Sequence, residues 1–321
     1  MQTRQIYTFG TYLQERFGER VFKVPVSISG FTCPNIDGSV AKGGCTFCEN
    51  DSFSPSLDRA KPLKGFHLNL NSTENPYLDK QLKQLEIQFE SLSARLRRDY
   101  GATKFLVYFQ SFTNTYAPFE TLKALYERAL SFDDVVGLSI GTRSDSVTEE
   151  TLDYLAELSR TKEIWIEFGI QSVYDATLER INRGHDSENV KTWIRKAKER
   201  GLNVCGHLIF GLPGETQAMM LETAGKAYAW GIDSVKYHPL YVVKRTALFN
   251  EYSRGEFSPI TETEYIDILT EALKMKPEGV SVQRMTAGID DASLAAPEWC
   301  RDKNSQIRNI NAALKSVGLK Y

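Results

Sequence analysis

The chain has 321 residues, 41% hydrophobic and 25% charged, with a formal net charge of −2 and a pI of about 6.2. This composition excludes a disordered or collagen-like chain and a strongly basic nucleic-acid module, while leaving room for a local basic patch. The N-terminal stretch MQTRQIYTFGTYLQERFGER has no apolar signal region, and runs such as FLVYF (105–109) are far too short to span a bilayer. A cytoplasmic chain with no membrane partner is therefore expected; nothing in the composition sets an oligomeric state.

Taken in chain order, apolar runs rich in β-branched and aromatic residues alternate with longer runs of helical period. Strands are expected at 24–29 (VPVSIS), 104–110 (KFLVYFQ), 135–141 (VVGLSIG), 163–170 (EIWIEFGI), 203–210 (NVCGHLIF) and 234–239 (SVKYHP), with a weaker one at 280–284 (VSVQR). Helices are expected at 78–99, 117–131, 147–160, 174–182 with 187–200, 215–230, 262–275 and 303–317. The segment 54–77, with Pro55, Pro62 and Pro76, reads as an extended connection. From the second strand onward the strand starts recur at the size of a βα unit. That rhythm points to an α/β fold with a partial or full parallel barrel.

Three of the five cysteines, Cys33, Cys45 and Cys48, sit just past the first strand, in GFTCPNIDGSVAKGGCTFCENDSF (30–53). Five cysteines in a reducing compartment suggest a metal or catalytic site more than a disulfide framework. In parallel barrels chemistry gathers at the C-terminal strand ends, where this loop begins. A structural zinc would want a fourth ligand, for which His67 is available. Three thiolates on an iron–sulfur cube would instead leave one iron open to an external ligand. Gly43 and Gly44 let the backbone wrap a compact inorganic core, Pro34 stiffens the entry, and Phe47 is placed to shield the cluster from water. Cys205 and Cys300 stand alone and read as small core hydrophobes.

Strand alternation sorts the remaining candidates. On the fourth strand Ile164, Ile166, Phe168 and Ile170 share the face suited to helices, and Glu167, Gly169 and Gln171 share the barrel face. On the fifth strand Cys205 and His207 point together. On the sixth, Lys236 and His238 alternate with Val235 and Tyr237. Arg143, Arg183, His185, Lys244 and Arg245 at strand ends would form a basic rim suited to an anionic substrate. Lys191, Arg195, Lys196, Lys198 and Arg200 belong to a solvated helix face.

GGCTFC with its upstream cysteine resembles the cluster loop of radical S-adenosylmethionine (SAM) enzymes. The eleven residues between Cys33 and Cys45 depart from the commonest Cys-x3-Cys-x2-Cys spacing and match the longer loop of the Elongator catalytic-subunit branch. The chain is most similar to small YhcC/YtqA-type radical SAM proteins. The similarity continues in order through YFQSFTNTY (108–116), GTRSD (141–145), EFGIQSVYDATLERINRGHD (167–186), HLIFGLPGET (207–216), HPLYVVKRTALFNEYSRGEF (238–257) and APEWCRDK (296–303).

The resemblance implies a partial (β/α)6-type TIM barrel in a single domain, 1–321, with a core at about 22–285 and a C-terminal extension at about 286–321. It implies that Cys33, Cys45 and Cys48 hold a 4Fe–4S cluster. SAM, chelated at the open iron, would be cleaved reductively to a 5′-deoxyadenosyl radical. SAM contacts are implied at Gln110, Ser111, Arg143, Glu167, Gln171, Ser172, Arg183 and His207, with the Gly211-Leu212-Pro213 turn beside the adenine. Gln110-Ser111-Phe112 replaces the family's Gly-Gly-Glu-type motif, so neutral oxygens must meet SAM's amine. Substrate contacts are expected from Lys236, His238, Lys244 and Arg245. Cys205, Tyr108 and Tyr237 are candidates by location for quenching the substrate radical. An external donor such as flavodoxin or ferredoxin would supply the electron. The branch suggests a tRNA substrate, with a wobble uridine side chain converted from carboxymethylaminomethyl to aminomethyl type. A small anionic metabolite is the alternative substrate, and a non-catalytic zinc-binding interaction protein is the alternative class.

Overall fold

The computed structural model describes residues 4–49, 66–289 and 292–321. A short strand, β1 (Arg4–Gln5), precedes helix α1 (Phe9–Phe17), which the Thr8 hydroxyl caps and a left-handed Gly18 ends. Then follow β2 (Val21–Val26), α2 (Leu78–Tyr100), β3 (Lys104–Phe109), α3 (Phe119–Leu130), β4 (Val135–Thr142), α4 (Glu149–Ser159) and β5 (Glu163–Gln171). The chain continues through α5 (Asp175–Arg180), α6 (Ser187–Glu199), β6 (Asn203–Phe210), α7 (Gln217–Ala229), β7 (Ser234–Pro239), β8 (Val242–Val243), α8 (Ala247–Ser253) and α9 (Glu262–Met275). It ends with β9 (Ser281–Arg284), β10 (Leu294–Ala296), α10 (Lys303–Ser316) and β11 (Leu319–Lys320). No described helix is long and apolar enough to cross a membrane.

Seven strands pair in parallel in the order β2-β3-β4-β5-β6-β7-β9 and curl into a half-barrel. Because helices cover the convex face, its strand positions are apolar: Val24, Val107, Ile140, Ile166, Leu208 and Val235 are all buried in one core with the helices. Among the described residues no backbone ladder pairs the two edges, β2 and β9, with each other. Helix α1 fills the N-terminal end of the concave face, where Phe9 and Leu13 pack on Val21, Leu106, Trp165 and Cys205. Accessory pairs hold the periphery, β1 with β11 in parallel and β8 with β10 antiparallel.

The first strand lies earlier than the sequence predicts. β2 ends at Val26, and beyond it glutamine side chains of α2 replace a neighbouring strand. Gln88 accepts from the Ser27 N–H (2.9 Å) and donates to its carbonyl (2.8 Å); Gln84 accepts from the Ser29 N–H (2.9 Å), and Gln81 donates to the Ser29 carbonyl (2.6 Å). The helices α1 and α8 were not predicted, nor were β1, β8, β10 and β11. Residues 54–65 of the predicted extended connection, with Pro55 and Pro62, lie outside the described residues.

Above the α1 plug the concave face turns polar around one carboxylate. Glu167, fully buried on β5, accepts from Lys23 Nζ of β2 at 2.7 Å, from Lys236 Nζ of β7, from the Ser139 hydroxyl of β4 and from His207 Nε2 of β6 at 2.8 Å. Lys23 also donates to Gln283 Oε1 of β9 at 2.6 Å, and Lys236 to the Tyr108 hydroxyl at 3.0 Å. Burial alone would raise the Glu167 pKa, but Lys23, Lys236 and His207 outweigh it and hold the carboxyl well below its ordinary range. Burial draws Lys23 down to about 8 despite Glu167, and burial with the Lys236 charge draws His207 down to about 4. His207 is therefore neutral at pH 7. The atoms of Glu167, Cys205 and His207 lie within 4.8 Å of one another, yet two ammonium groups already neutralise the carboxylate, which opposes a further cation.

Glu167→Gln is expected to strand both lysines and to cost about 3–5 kcal/mol of stability at neutral pH. The folded carboxyl titrates below its ordinary 4.5, so its contribution is present above that pH and is lost as pH falls toward the folded value. Urea unfolding from pH 7 downward checks this: the gap between wild type and variant should narrow in acid.

Candidate active site

One cavity occupies the C-terminal mouth of the half-barrel, and Cys33, Cys45, Cys48 and Phe47 form its upper wall. The loop bearing them is held by its own turns and by the segment after α5. Ile36 and Asp37 donate back to the Cys33 carbonyl at 2.9 and 3.1 Å, and the left-handed Gly44 donates to the Asn35 carbonyl at 2.7 Å. Asn182 Nδ2 donates to the carbonyls of Lys42 (2.9 Å) and Gly44 (2.7 Å), and Thr46 N–H donates to the Ile181 carbonyl at 3.0 Å. Phe47 packs with Leu178, Ile181, Leu212 and Leu248, which anchors the Cys45–Cys48 turn in an apolar bed.

Each of two sulfurs has donors aimed at it. The Thr113 hydroxyl donates to Cys33 Sγ at 2.9 Å; Asn35 Nδ2 (3.3 Å) and Arg183 Nη1 (3.7 Å) donate to Cys45 Sγ. Hydrogen bonds to ligating sulfur are a recurring way of tuning an iron–sulfur cluster. Burial raises the Cys33 thiol, and burial with the neighbouring Cys45 raises Cys48 far more. A single tetrahedral zinc would gather its thiolates to about 4 Å of one another. Among the described residues the group of ligand atoms closed to within 4.8 Å is Glu167, Cys205 and His207, not the three thiols. Wider-set thiols around one cavity fit an iron–sulfur cube, whose corners are separate metal atoms. His67 is exposed and does not line the cavity.

Below the thiols the strand ends present unmatched polar atoms. Arg143 makes a bidentate pair with Asp145 (2.9 and 2.6 Å) and donates to the Arg183 carbonyl at 2.6 Å, yet its Nη1 has no partner. Arg183 Nη2 donates to the Gly169 carbonyl at 2.9 Å, leaving Nε bare; Gln171 Oε1 is likewise buried without a donor. Position 169 must be glycine for this arrangement, because a Cβ there would meet Arg183 Nη2 at 2.6 Å. Phe112 and Gln171, at the ends of β3 and β5, both adopt left-handed backbone (φ 64° and 65°), a costly conformation for such residues. The donor set, two guanidinium nitrogens and an amide oxygen beneath three thiols, suits a cluster-bound amino acid with carboxylate and ammonium groups.

The structure brings together Gln110, Ser111, Arg143, Glu167, Gln171, Arg183, His207, Lys236, His238 and Tyr108 with the cysteines in this cavity. It sets several other candidates apart. Tyr237 is on the convex face, as the pleat requires opposite Lys236, and its ring packs among Phe210, Tyr228 and the helices. Cys205 faces inward but lies in the α1 plug below the cavity. Ser172 caps the Tyr174 N–H (3.1 Å) and bonds Glu215 behind the cavity wall. Gly211, Leu212 and Pro213 form the turn after β6, with Leu212 facing the bed beneath Phe47, and none of the three lines the cavity. Lys244 and Arg245 are exposed on the loop before α8, Arg245 pairing with Glu49 at 3.0 Å, and the half-buried His185 does not line the cavity, so the expected rim contracts to Arg143 and Arg183. Cys300 is buried with Tyr241, Val243 and Ile289. On α6 and at its C-terminal cap, Lys191, Arg195, Lys198 and Arg200 form ion pairs with Glu188, Glu199, Asp233 and Asp153. Sequence reasoning does not reach Asn35, Asn182 and Thr113, whose signals are a polar residue beside Cys33, the INRGHD segment and the YFQSFTNTY segment in turn.

Comparison with known proteins follows the same lines. Residues 38–227 match the radical SAM superfamily and 232–316 the radical SAM C-terminal domain. The chain is 35% identical to the protein YtqA of Bacillus subtilis over 98% of its own length and 91% of the relative's. It is 32% identical to a tRNA uridine(34) acetyltransferase of Methanocaldococcus jannaschii, over 48% of this chain and 28% of that protein. Its fold superposes on the archaeal Methanocaldococcus infernus Elp3 with a TM-score of 0.62 at 19% identity, covering 94% of this chain and 65% of that one. The chain belongs to the radical SAM superfamily, whose cofactors are a 4Fe–4S cluster and S-adenosylmethionine.

Proposed function

We propose that this radical SAM enzyme modifies a tRNA wobble uridine, converting a carboxymethylaminomethyl-type side chain toward aminomethyl, and that the chain works as one domain. The observation that carries the reading is a cation-rich cavity directly beneath three unpaired thiols. The partial likeness to a tRNA uridine(34) acetyltransferase supports RNA as the substrate class. When bound, the cluster and SAM supply reductive cleavage of a carbon–sulfur bond and thereby hydrogen abstraction from substrate.

The chain's own residues have three tasks. Cys33, Cys45 and Cys48 hold the cluster, while Thr113, Asn35 and Arg183 steady its sulfurs. Arg143 and Arg183 offer bare nitrogens to the SAM carboxylate, and Gln171, Gln110 and Ser111 offer neutral contacts to its amine and ribose. The third task is exclusion of water, served by the α1 plug below and by Phe47 above. At the floor Lys236 and the Tyr108 hydroxyl share a proton donor–acceptor contact of 3.0 Å, and burial raises the phenol far above its ordinary range, so Tyr108 stays protonated. A donor of flavodoxin or ferredoxin type supplies the electron.

Cys33→Ala, Cys45→Ala and Cys48→Ala should each lose the cluster, whereas Cys300→Ala keeps it. Iron quantification after oxygen-free reconstitution checks the set, and retention of full iron by any of the first three contradicts it. Reconstituted wild type with dithionite and SAM should release 5′-deoxyadenosine. Nucleoside profiling of tRNA from a deletion strain should show the carboxymethylaminomethyl uridine accumulating; an unchanged profile removes the tRNA reading and leaves the small anionic metabolite.

A further inference from the structure

A second cavity opens where the sheet fails to close, between β2 and β9. Tyr108, Gln110, Lys236, Tyr241 and Arg284 line both it and the thiol cavity, so the two spaces meet. Four cationic side chains face the seam: Lys23, Lys236, Arg284 and Lys303. Among the described residues its lining contains no carboxylate. Glu167, the sole acid among the described residues lining the adjoining cavity, is already shared by Lys23 and Lys236.

Arg284 is placed there by an irregularity in the last strand. β7 and β9 pair Ser234 with Ser281 and Val235 with Val282, then skip a residue so that Lys236 faces Arg284. Strict alternation from inward Ser281 would turn Gln283 in and Arg284 out under the helices. With the bulge Gln283 still meets Lys23, and Arg284 is brought to the same cavity wall as Lys236. Bulges beside active sites commonly re-aim a side chain in this way. Among the described residues Arg284 has no ion pair or hydrogen bond through its guanidinium. Its neighbours respond to the bare charge: burial and then Arg284 lower both His238 and Lys303. A half-buried guanidinium without an anion is costly, and its planar fork matches a carboxylate in bidentate fashion.

We infer that Arg284 determines substrate specificity by clamping a carboxylate at the junction of the two cavities, with Lys236 on the inner side and the exposed Lys303 at the outer lip. The inference rests on the wobble-uridine reading, in which the side chain to be altered ends in a carboxylate. The modified base enters by the seam, its side chain reaches the level of Tyr108 and Lys236, and the RNA backbone stays outside with Lys303. Because His207 and His238 are neutral and Glu167 already holds Lys23 and Lys236, Arg284 is the cation at the junction without an acidic partner among the described residues, matched to one carboxylate.

The test uses the reconstituted full chain and two tRNAs, one carrying carboxymethylaminomethyl uridine and one carrying aminomethyl uridine. Wild type should prefer the first, and Arg284→Gln should erase about 10- to 100-fold of that preference, the loss expected for a bidentate charge-assisted contact. Arg284→Lys, a point charge without the fork, should restore only part of it. Iron content and melting temperature report whether each variant is folded. Equal weakening toward both tRNAs would make Arg284 a phosphate contact and overturn the clamp. If wild type binds neither tRNA, the wobble reading fails and the clamp is judged separately by phenylglyoxal labelling of arginines, read by mass spectrometry. N-methylglycine should then slow labelling of Arg284 several-fold where methylamine does not; equal labelling under both would overturn the clamp.

Discussion

A single interior carboxylate makes the concave face of this half-barrel possible. Lys23 on an edge strand and Lys236 on β7 would repel each other in a buried space, and Glu167 on the central strand binds both. The consequence is architectural as well as electrostatic. No backbone ladder joins β2 to β9, but Lys23 reaches Glu167 on one side and Gln283 on the other. Its ammonium also lies 4.7 Å from the centre of the Phe9 ring in the α1 plug. Side chains thus close the lower part of the seam that the sheet leaves open, and the upper part remains an entrance.

Above that floor, positive charge is divided into two sets with different neighbours. Arg143 and Arg183 stand by the thiols and line the cavity, where Asp145 and backbone carbonyls hold them while one nitrogen of each stays unpartnered. Arg284 and Lys303 stand at the seam, whose described lining holds no carboxylate. A cluster ligand and a substrate that both carry carboxylates would compete if a single basic patch served both. Two separated sets, joined by the neutral stretch of Tyr108, Gln110 and the uncharged histidines, give each anion its own place.

The helices and central strands were readable because their periods are clean. Glu163–Gln171, Asn203–Phe210 and Ser234–Pro239 fall within a residue of expectation, and the inward sets Glu167–Gly169–Gln171 and Lys236–His238 follow from the pleat alone. The pattern misled where something other than a ladder satisfied the backbone. The run VPVSIS continues to alternate past Val26, but glutamines of α2 take over from the neighbouring strand. Helix α1 is harder to see because its apolar stripe is only moderate, although Thr8 and Gly18 mark both ends. Tyr237 shows the opposite lesson: alternation already placed it opposite Lys236, and proximity in sequence to the site did not bring it to the cavity.

Arg284 marks the boundary of what alternation can tell. Its inward direction comes from one extra residue in β9, and nothing in VSVQR announces a bulge, since it arises when a short edge strand must meet β7 at Lys236 while Gln283 answers Lys23. The bulge is therefore tied to the same ion network that organises the floor. Regular pairing would leave Gln283 inward beside Lys23 but would bury Arg284 against apolar helices at prohibitive desolvation cost, which the extra residue avoids. Substrate recognition and the stability of the open edge are in this way two uses of one set of contacts, which is why the residue that faces the entrance is found on the strand that the sequence signals most weakly.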